Sequence, residues 1–520
     1  MRLGSAHNRF SQVPRANIPR SSFDRSHGYK TTFDAGYLIP VFCDEVLPGD
    51  TMSLRMTAFA RLATPIFPIM DNMRLSSFFF FVPDRLVWSN FEKFNGAQDD
   101  PGDSTDFTLP VQTTPVGGYT EGSLGDYFGI PTGVDSLDVC ALPFRGYNLI
   151  FNEWFRDQNL TDSVTVDTGD GPDTDTNYTL LRRSKRHDYF TSALPWPQKG
   201  DAIELPLGTS APVVSAGDGE PYFDDGTTNS LRFVANNGST SAIFNANQTG
   251  SASLTWGSQT ALETDLSTAT AATINQLRQA FQLQRLAERD ARGGTRYIEI
   301  VKAHFGVTSP DARLQRPEYL GGGSTFVNVN AIAQTSSTDA TTPQGNLAAF
   351  GTSAISGHGF SKSFTEHGWV IGLVSLQADL TYQQGLDRMW SRSTRFDRYW
   401  PSLAYIGEQT ILNKEIYAQG DANDDLVFGY QERYAEYRYK PSRITGAFRS
   451  NAATPLDAWH LSIDFSALPV LNDSFIQDNP PVDRIIAVPT EPHILFDSWF
   501  NYRCARPMPI YGVPGMIDHF

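Results

Sequence analysis

Two stretches of the chain interleave cations with aromatic rings. In DRMWSRSTRFDRYW (residues 387–400), Arg388, Arg392, Arg395 and Arg398 stand beside Trp390, Phe396, Tyr399 and Trp400. In YRYKPSRITGAFR (residues 437–449), Arg438, Lys440, Arg443 and Arg449 stand beside Tyr437, Tyr439 and Phe448. Rings that stack on bases and cations that meet phosphates hold single-stranded nucleic acid without regard to sequence. Arginine and aromatic residues are also what protein interfaces concentrate. Of the two readings, a subunit interface stands ahead. The basic run RRSKRH (residues 182–187) suits either.

Other chemistry has weaker support. DANDDLVFGYQE puts Asp421, Asn423, Asp425 and Glu432 at positions one, three, five and twelve of a calcium-type loop. The sixth position, where such a loop needs Gly for its sharp turn, holds Leu426. A polar turn entering a strand is the expectation, with no metal. His358 and His367 flank two serines in SGHGFSKSFTEHG, but nothing fixes a base and an orienting acid. GGGSTF (residues 321–326) lacks the Lys that would reach a phosphate and reads as a flexible loop. A glycosidase pair is defined by separation in space, so spacing along the chain does not locate one. No catalytic residue, cofactor or metal is expected.

The elements that would position these residues are mostly strands. TMSLRMTAFARL alternates, with Met52, Leu54, Met56, Ala58, Ala60 and Leu62 on one face and Ser53, Arg55, Thr57 and Arg61 on the other. Phe59 is the exception on the wet face. The run Phe78 to Phe81 follows and is apolar on both faces, so it lies between two layers or awaits another molecule. In PDRLVWSNFEKFNG the period changes: Val87, Trp88, Phe91 and Phe94 fit a helix face, with Asp84 as its N-cap and Gly96 as its stop. A short helix is expected in residues 148–158. TINQLRQAFQLQRLAERDARGG carries the stripe Ile274, Leu277, Ala280 and Phe281 of a helix that Thr273 can cap and Gly293 can end. RYIEIVKAHF, HGWVIGLVSLQADLTY, LVFGYQERYAEYRYKP and EPHILFDSWFNYR read as strands, the last with Ile494, Phe496, Phe500 and Tyr502 on one face. Many strands far apart in sequence, joined by long loops, point to a sandwich or jelly roll.

Composition agrees. Hydrophobic residues make up 40% of 520 and aromatics 12%, enough for a sizeable core. No apolar run approaches the ~18 residues of a membrane helix, and the N-terminus lacks the apolar region of a secretory signal. Cys43, Cys140 and Cys504 match no metal or redox spacing and read as reduced thiols. The net charge of −16 is uneven. Within residues 1–30, Arg2, Arg9, Arg15, Arg20, Arg25 and Lys30 face only Asp24, so a basic arm (residues 1–45) is expected to meet a polyanion. Residues 201–272 carry eight acids and one base, Arg232, amid Ser, Thr, Gly and Asn. They read as a surface insertion between a first core segment (46–200) and a second (273–520). Asp218, Glu220, Asp224 and Asp225, with Phe233, Phe244 and Trp256, are its candidate attachment residues.

The words SQVPRANIPRSSFDRSHGYKTTFDAGYLIPVFCDEVLPGDT, FFFFVPDRLVWSNFEKFNG, RHDYFTSALPWPQKG, RDARGGTRYIEIVKAHFGVTSPDARLQRPEYLGGGS, VFGYQERYAEYRYKPSRITGAFRS and FDSWFNYRCARPMPIYGVPGMIDHF closely resemble the major capsid proteins of gokushoviruses, single-stranded DNA phages of the microvirus family. Residues 201–272 and short loops fall outside the resemblance. It implies an eight-stranded antiparallel jelly roll with long insertions and a few helices. It implies an icosahedral shell of many copies of one subunit around circular single-stranded DNA, in a virion assembled in the bacterial cytoplasm. The implied partners are further copies of the chain, the packaged DNA, a small basic packaging protein, a minor or pilot protein, and a host receptor met by a protrusion at three-fold axes. The alternative from another class is a β-sandwich carbohydrate-active enzyme or lectin.

Overall fold

The structure is a computed structural model that describes residues 19–203, 274–339 and 343–511, with the backbone of six short strands between 213 and 264. Ten strands build its two main sheets. They are β1 (Ser21–Asp24), β2 (His27–Phe33), β3 (Ile39–Val46), β4 (Thr51–Leu62), β5 (Met73–Pro83), β6 (Glu318–Phe326), β7 (Asn328–Ala333), β8 (Leu347–Ser363), β9 (Gly368–Ala378) and β10 (Ile494–Arg506). One sheet runs β1–β10–β4–β8–β7, with β2 also paired to β10; the other runs β6–β5–β9–β3. Every pairing in both is antiparallel. The expected antiparallel sandwich forms; the resemblance implies eight strands, and these sheets hold six and four.

Period-two alternation fixes the facing surfaces. The even-numbered residues of β4, and those from Ile494 to Cys504 in β10, are buried, and the odd-numbered ones from Ser53 in β4, and from Leu495 to Arg503 in β10, face solvent. From the opposite sheet Phe79, Phe81, Val370 and Val374 join the same core. Rings meet across the gap: Phe42 lies 5.3 Å from Phe500 and 5.5 Å from Tyr502, and Phe79 lies 5.7 Å from Phe360. A one-residue slip of either strand would turn its apolar set into water.

The second face of the Phe run is buried too. Phe80 and Val82 enter a separate core with Leu142, Phe144, Tyr147, Ile150, Phe151 and Phe155. These residues belong to the α-helix Leu142–Ile150, which has proline in its first turn, and to the π-helical turn Phe151–Phe155 that continues it. Phe80 lies 5.4 Å from Trp154 and 5.9 Å from Phe155, and Phe78 lies 5.1 Å from Phe155. The helix expected within residues 148–158 thus begins earlier, because Leu142, Phe144 and Tyr147 are needed to cover the sheet.

Residues 198–290 form a compact unit of their own. Its strands include an antiparallel sheet in the order Ala242–Phe244, Ser230–Ala235, Tyr222–Asp224, Thr255–Trp256, and a separate pair, Val213–Ser215 with Leu262–Thr264. The helix Ile274–Arg292 forms as its stripe predicts, yet Ile274, Leu277 and Phe281 of that stripe are exposed. Its expected cap, Thr273, lies outside the described residues.

Three local expectations are corrected. RYIEIVKAHF is a helix, Tyr297–Phe305, despite its alternation. Glu299 Oε2 accepts the backbone N–H of Arg296 at 3.0 Å at one end, and Gly306 closes the other in the left-handed region (φ 69°). GGGSTF is no flexible loop but the body of β6, paired to the Phe run with Gly321 opposite Phe79 and Gly322 opposite Phe78. A Cβ on Gly321 would stand 2.3 Å from the carbonyl oxygen of Gly359, and one on Gly323 2.5 Å from the His358 ring. These glycines mark close backbone approach. PDRLVWSNFEKFNG is two single turns, Asp84–Val87 and Phe91–Phe94, broken at Trp88. Trp88 is drawn into the second core and donates Nε1–H to Asp170 Oδ1 at 2.8 Å. Asp84 is not the cap but the first helical residue, and it is buried.

Two predictions follow from this packing. Phe79→Ala and Phe80→Ala should each cost roughly 3–5 kcal/mol in denaturant unfolding. Because the two side chains enter different cores, the double variant should come within about 0.5 kcal/mol of the sum. A large coupling would mean that the two cores are one. Burial, with Glu45 and Glu366 nearby, pushes the Asp84 carboxyl up to about 7. The folded chain therefore holds a proton that the unfolded chain loses above the ordinary carboxylate range. Stability due to this group should fall as pH rises from about 4 to 7, and Asp84→Asn should flatten that part of the thermal-stability profile. An unchanged slope would refute the assignment.

Candidate assembly interface

The first cation–aromatic stretch is a chain of single 3-10 turns, Arg388–Trp390, Arg395–Asp397 and Pro401–Leu403. It lies against the hairpin of Glu408–Leu412 with Val427–Glu432 and the turn Ala435–Tyr437 that follows. Tyr434 takes a left-handed backbone conformation (φ 64°), uncommon for a ring-bearing residue. Its N–H donates to Gln409 Oε1 at 3.0 Å, and its hydroxyl donates to the Arg398 carbonyl at 3.0 Å. Tyr434, Tyr399 and Tyr437 form a mutual edge-to-face trio with centroids 5.1–6.2 Å apart. Arg392 lies 4.4 Å over the Tyr437 ring and Arg395 4.6 Å over Trp400. A groove of about 600 Å³ opens between Trp390, Arg392, Arg395, Arg398 and Tyr437.

Beneath this surface the charges are paired. Arg388 Nη1 stands 2.9 Å from Glu415 Oε1, whose other oxygen accepts the Tyr189 hydroxyl at 2.9 Å. Burial raises the Glu415 carboxyl, and the Arg388 guanidinium opposes that rise. Arg392 stands 3.2 Å from Glu436, which also accepts from Gln409 at 2.6 Å. Lys440 and Arg443 both reach Asp387. Arg438 pairs with Glu432. Arg395 and Arg398 have no carboxylate partner among the described residues.

Above the pairs, large apolar groups face solvent. Trp390 is 70% exposed, Phe396 63% and Tyr405 93%, with Tyr399, Ile406 and Tyr439 about half exposed. Exposed rings in one neighbourhood, on a scaffold fixed by buried ion pairs, are the pattern of a protein–protein contact. The sequence reading missed Tyr405, Ile406 and Tyr434. The first two sit in PSLAYIGE without a nearby cation, and Tyr434 is identified by its backbone angle alone.

The other expected residues are placed as follows. Arg2, Arg9 and Arg15 lie outside the described residues. Arg20 donates to Thr51 Oγ1 at 2.9 Å, Arg25 pairs with Asp44 and lies 5.4 Å over Tyr502, and Lys30 pairs with Asp497 at 2.9 Å. Within residues 21–33 the basic arm is therefore mostly sheet, hydrogen-bonded to β10, and residues 39–45 belong to β3, paired to β9. Of the insertion residues, Asp218, Glu220 and Asp225 lie outside the described residues. Asp224 is opposite Ser230 and Thr255, Phe233 opposite Phe244, and Trp256 opposite Phe223. In the calcium-like loop, Asp421 caps the turn Ala422–Asp425, Asp425 pairs with Lys414 at 2.6 Å, and Glu432 ends a strand and pairs with Arg438. The loop is thus a polar turn entering a strand. His358 Nδ1 is 2.8 Å from Ser77 Oγ, and no carboxylate among the described residues orients the ring. The run RRSKRH is largely used by the fold. Arg182 covers Tyr37, Arg183 covers Phe78, and Lys185 covers Phe475 and donates to its carbonyl.

Comparison with known proteins gives one answer. A family model described as "Capsid protein (F protein)" matches residues 11–516. The chain is 53% identical, over the whole of both chains, to "Capsid protein VP1" of Bdellovibrio phage phiMH2K. It is 48% identical to "Capsid protein VP1" of Chlamydia phage 1 over 98% of each chain. It is 38% identical to "Capsid protein VP1" of Spiroplasma virus 4, over 98% of this chain and 97% of the other.

Proposed function

The chain belongs to the phage capsid protein (F protein) family, and on that premise we propose that it closes into an icosahedral shell around circular single-stranded DNA and meets its host through residues 201–272. Its role is structural: it is a capsid subunit of the virion, not an enzyme, and the carbohydrate-active alternative is set aside by the family. No helix among the described residues is long and apolar enough to cross a membrane.

The observation that carries the shell reading is the end-to-end match to capsid proteins together with the exposed rings of residues 390–406. A monomer has no use for Trp390, Phe396 and Tyr405 in water, and a neighbouring copy would bury them. Assembly in the bacterial cytoplasm fits three free cysteines. The DNA partner is supported by the charge of the arm, where Arg2, Arg9 and Arg15 stand with no acid before Asp24. A small basic packaging protein and a minor or pilot protein complete the particle in this reading. Host attachment is supported by composition: eight carboxylates and one arginine repel packaged phosphates, and burying them unpaired is costly. The separate compactness of residues 198–290 suits a protrusion formed with neighbouring copies.

Trp390→Ala with Tyr405→Ala should leave the far-ultraviolet dichroism and melting temperature of the subunit within error while closed shells, counted by electron microscopy, fall at least tenfold. Normal shell numbers would move the contact elsewhere. Joining Gly200 to Thr273 through a short Gly-Ser link should leave shells assembling and abolish adsorption to the host. Normal adsorption would remove attachment from this segment.

A further inference from the structure

The two main sheets end in strands of different character. β3, at an edge of the four-stranded sheet, carries Pro40, Asp44 and Glu45, and β1 and β2, at one edge of the six-stranded sheet, carry Asp24 and Lys30. Charges and prolines on an edge keep other strands from adding to it. β7, at the opposite edge of the six-stranded sheet, reads NVNAIA and has neither. Between Tyr319 and Ser361 the chain holds one residue of the Asp, Glu, Lys and Arg types, Asp339, although these make up 19% of the whole. No residue of β7 is buried, and Ile332 is half exposed.

The backbone of this edge is open in a definite pattern. Gln334, just past the strand, donates its N–H to the Asn346 carbonyl at 2.9 Å and accepts from the Gly345 N–H at 2.8 Å, so it faces the β8 side of the hairpin. In an antiparallel ladder the two backbone groups of one residue share an edge, and successive residues alternate. The register is unbroken from Asn328 opposite Thr352 to Ala333 opposite Leu347. Val329, Ala331 and Ala333 therefore turn N–H and C=O away from β8. Val327, of the same parity, sends its N–H to the Met73 carbonyl at 2.9 Å, which closes that end. Among the described residues nothing pairs with the outward groups of Val329, Ala331 and Ala333. Beside the closed end lies a groove of about 590 Å³ between residues 69–72 and 327–330, with Asp71, Asn72, Asn328 and Asn330 in its lining.

We propose that β7 pairs antiparallel with β7 of a second copy across a two-fold axis, Ala331 opposite Ala331, and so joins two six-stranded sheets into one. The proposal rests on the shell reading above, because an icosahedral shell sets copies about two-fold axes, and a two-fold contact uses the same patch on both. The open positions are symmetric about Ala331. This register sets Val329 opposite Ala333 and Ala331 opposite itself, three pairs that exchange about two hydrogen bonds each. Asn330 stands opposite Ile332 between them. Identical strands meeting in this way bring identical residues close, where like charges would repel; β7 holds none. Past Ala333 the copy's Gln334, Thr335 and Ser336 enter the polar groove at residues 327–330. A charged segment of another protein finds nothing on β7 that would select it.

The test uses the full chain carrying Ala331→Glu or Ala331→Lys, both at an exposed position whose backbone groups face away from β8. Each variant alone sets like charges against each other across the axis. Closed shells, counted by electron microscopy, should fall at least tenfold, while the melting temperature of the purified subunit stays within error of wild type. Co-expression of the two variants sets Glu opposite Lys and should bring shells back to within about threefold of wild type. Recovery on mixing requires position 331 to face itself, which a contact with any other strand would not give. A second variant checks the register without adding charge. Asn330→Cys with Ile332→Cys places thiols at directly opposed, non-hydrogen-bonded positions about 4.5 Å apart at Cα, within disulfide reach. Oxidised shells of this variant should run as covalent dimers on a non-reducing gel. Normal shell numbers from both charge variants, no recovery on mixing, or no covalent dimer in intact shells overturns the pairing. Wild-type subunits that never close into shells overturn the shell reading instead, so the two failures are distinct.

Discussion

The four-stranded sheet is buried on both sides, and the rest of the subunit is arranged around that constraint. β5 sends Phe79 and Phe81 into the gap between the sheets and Phe80 and Val82 away from it. β9 beside it is likewise closed on both faces, with Val370, Ile371, Leu373 and Val374 at most 1% exposed. A strand of this kind cannot be covered by one partner layer. The long connection after β5 therefore has to return, and it does so as the helix Leu142–Ile150 and the turn that continues it. The edge strand β6 approaches the same sheet through three glycines, because side chains there would collide with Gly359, Ser77 and His358.

The long connections are held by buried polar networks as well as by apolar packing. Arg145, fully buried, makes a two-pronged contact with Asp173 and donates to the carbonyls of Val87 and Gly169 at 2.9 Å each. Tyr178 donates to the same carboxylate. This ties the covering helix, the turn at Asp84–Val87 and the loop at residues 167–178 into one body. Removing one partner of such a pair leaves a buried charge uncompensated, which costs far more than a surface pair. Arg388 with Glu415 and Tyr189 does the same work below the exposed rings at residues 390–406. Loops without regular structure thus become firm enough to present defined surfaces.

The division of labour suits a shell subunit. Apolar alternation and two-sided burial make a rigid centre, and ion-pair networks fix long loops onto it. The surfaces left over differ in chemistry. One is rich in exposed rings above the pairs Arg388–Glu415 and Arg392–Glu436, and another is a sheet face on which Arg55 and Arg61 have no carboxylate directly across from them. The most acidic segment, residues 201–272, falls within a separate compact unit. Such differences let one chain meet several kinds of neighbour at once.

The sequence by itself determined what depends on neighbours along the chain. Alternation in Thr51–Leu62 and in Ile494–Arg506 named strands and their buried faces correctly, because a period of two has only one way to sort side chains between core and water. The stripe from Ile274 likewise named a helix, and four phenylalanines in a row required two covering layers. Tertiary structure decided which layers these were, since nothing local links residue 80 to residue 154. It also decided cases where local rules compete. RYIEIVKAHF alternates like a strand, but end caps at Glu299 and Gly306 favour a helix. GGGSTF has the composition of a loop, yet sheet packing needs a backbone without side chains at that point. Asp84 has the chemistry of a cap and is buried instead, in a single turn whose other end, Trp88, donates its N–H to the Asp84 carbonyl and goes into the core. Whether a charge is paired was also beyond the sequence: Arg388 and Arg55 look alike in it. One meets Glu415, from 27 residues away, and the other meets none, because register and loop return alone bring carboxylates within reach.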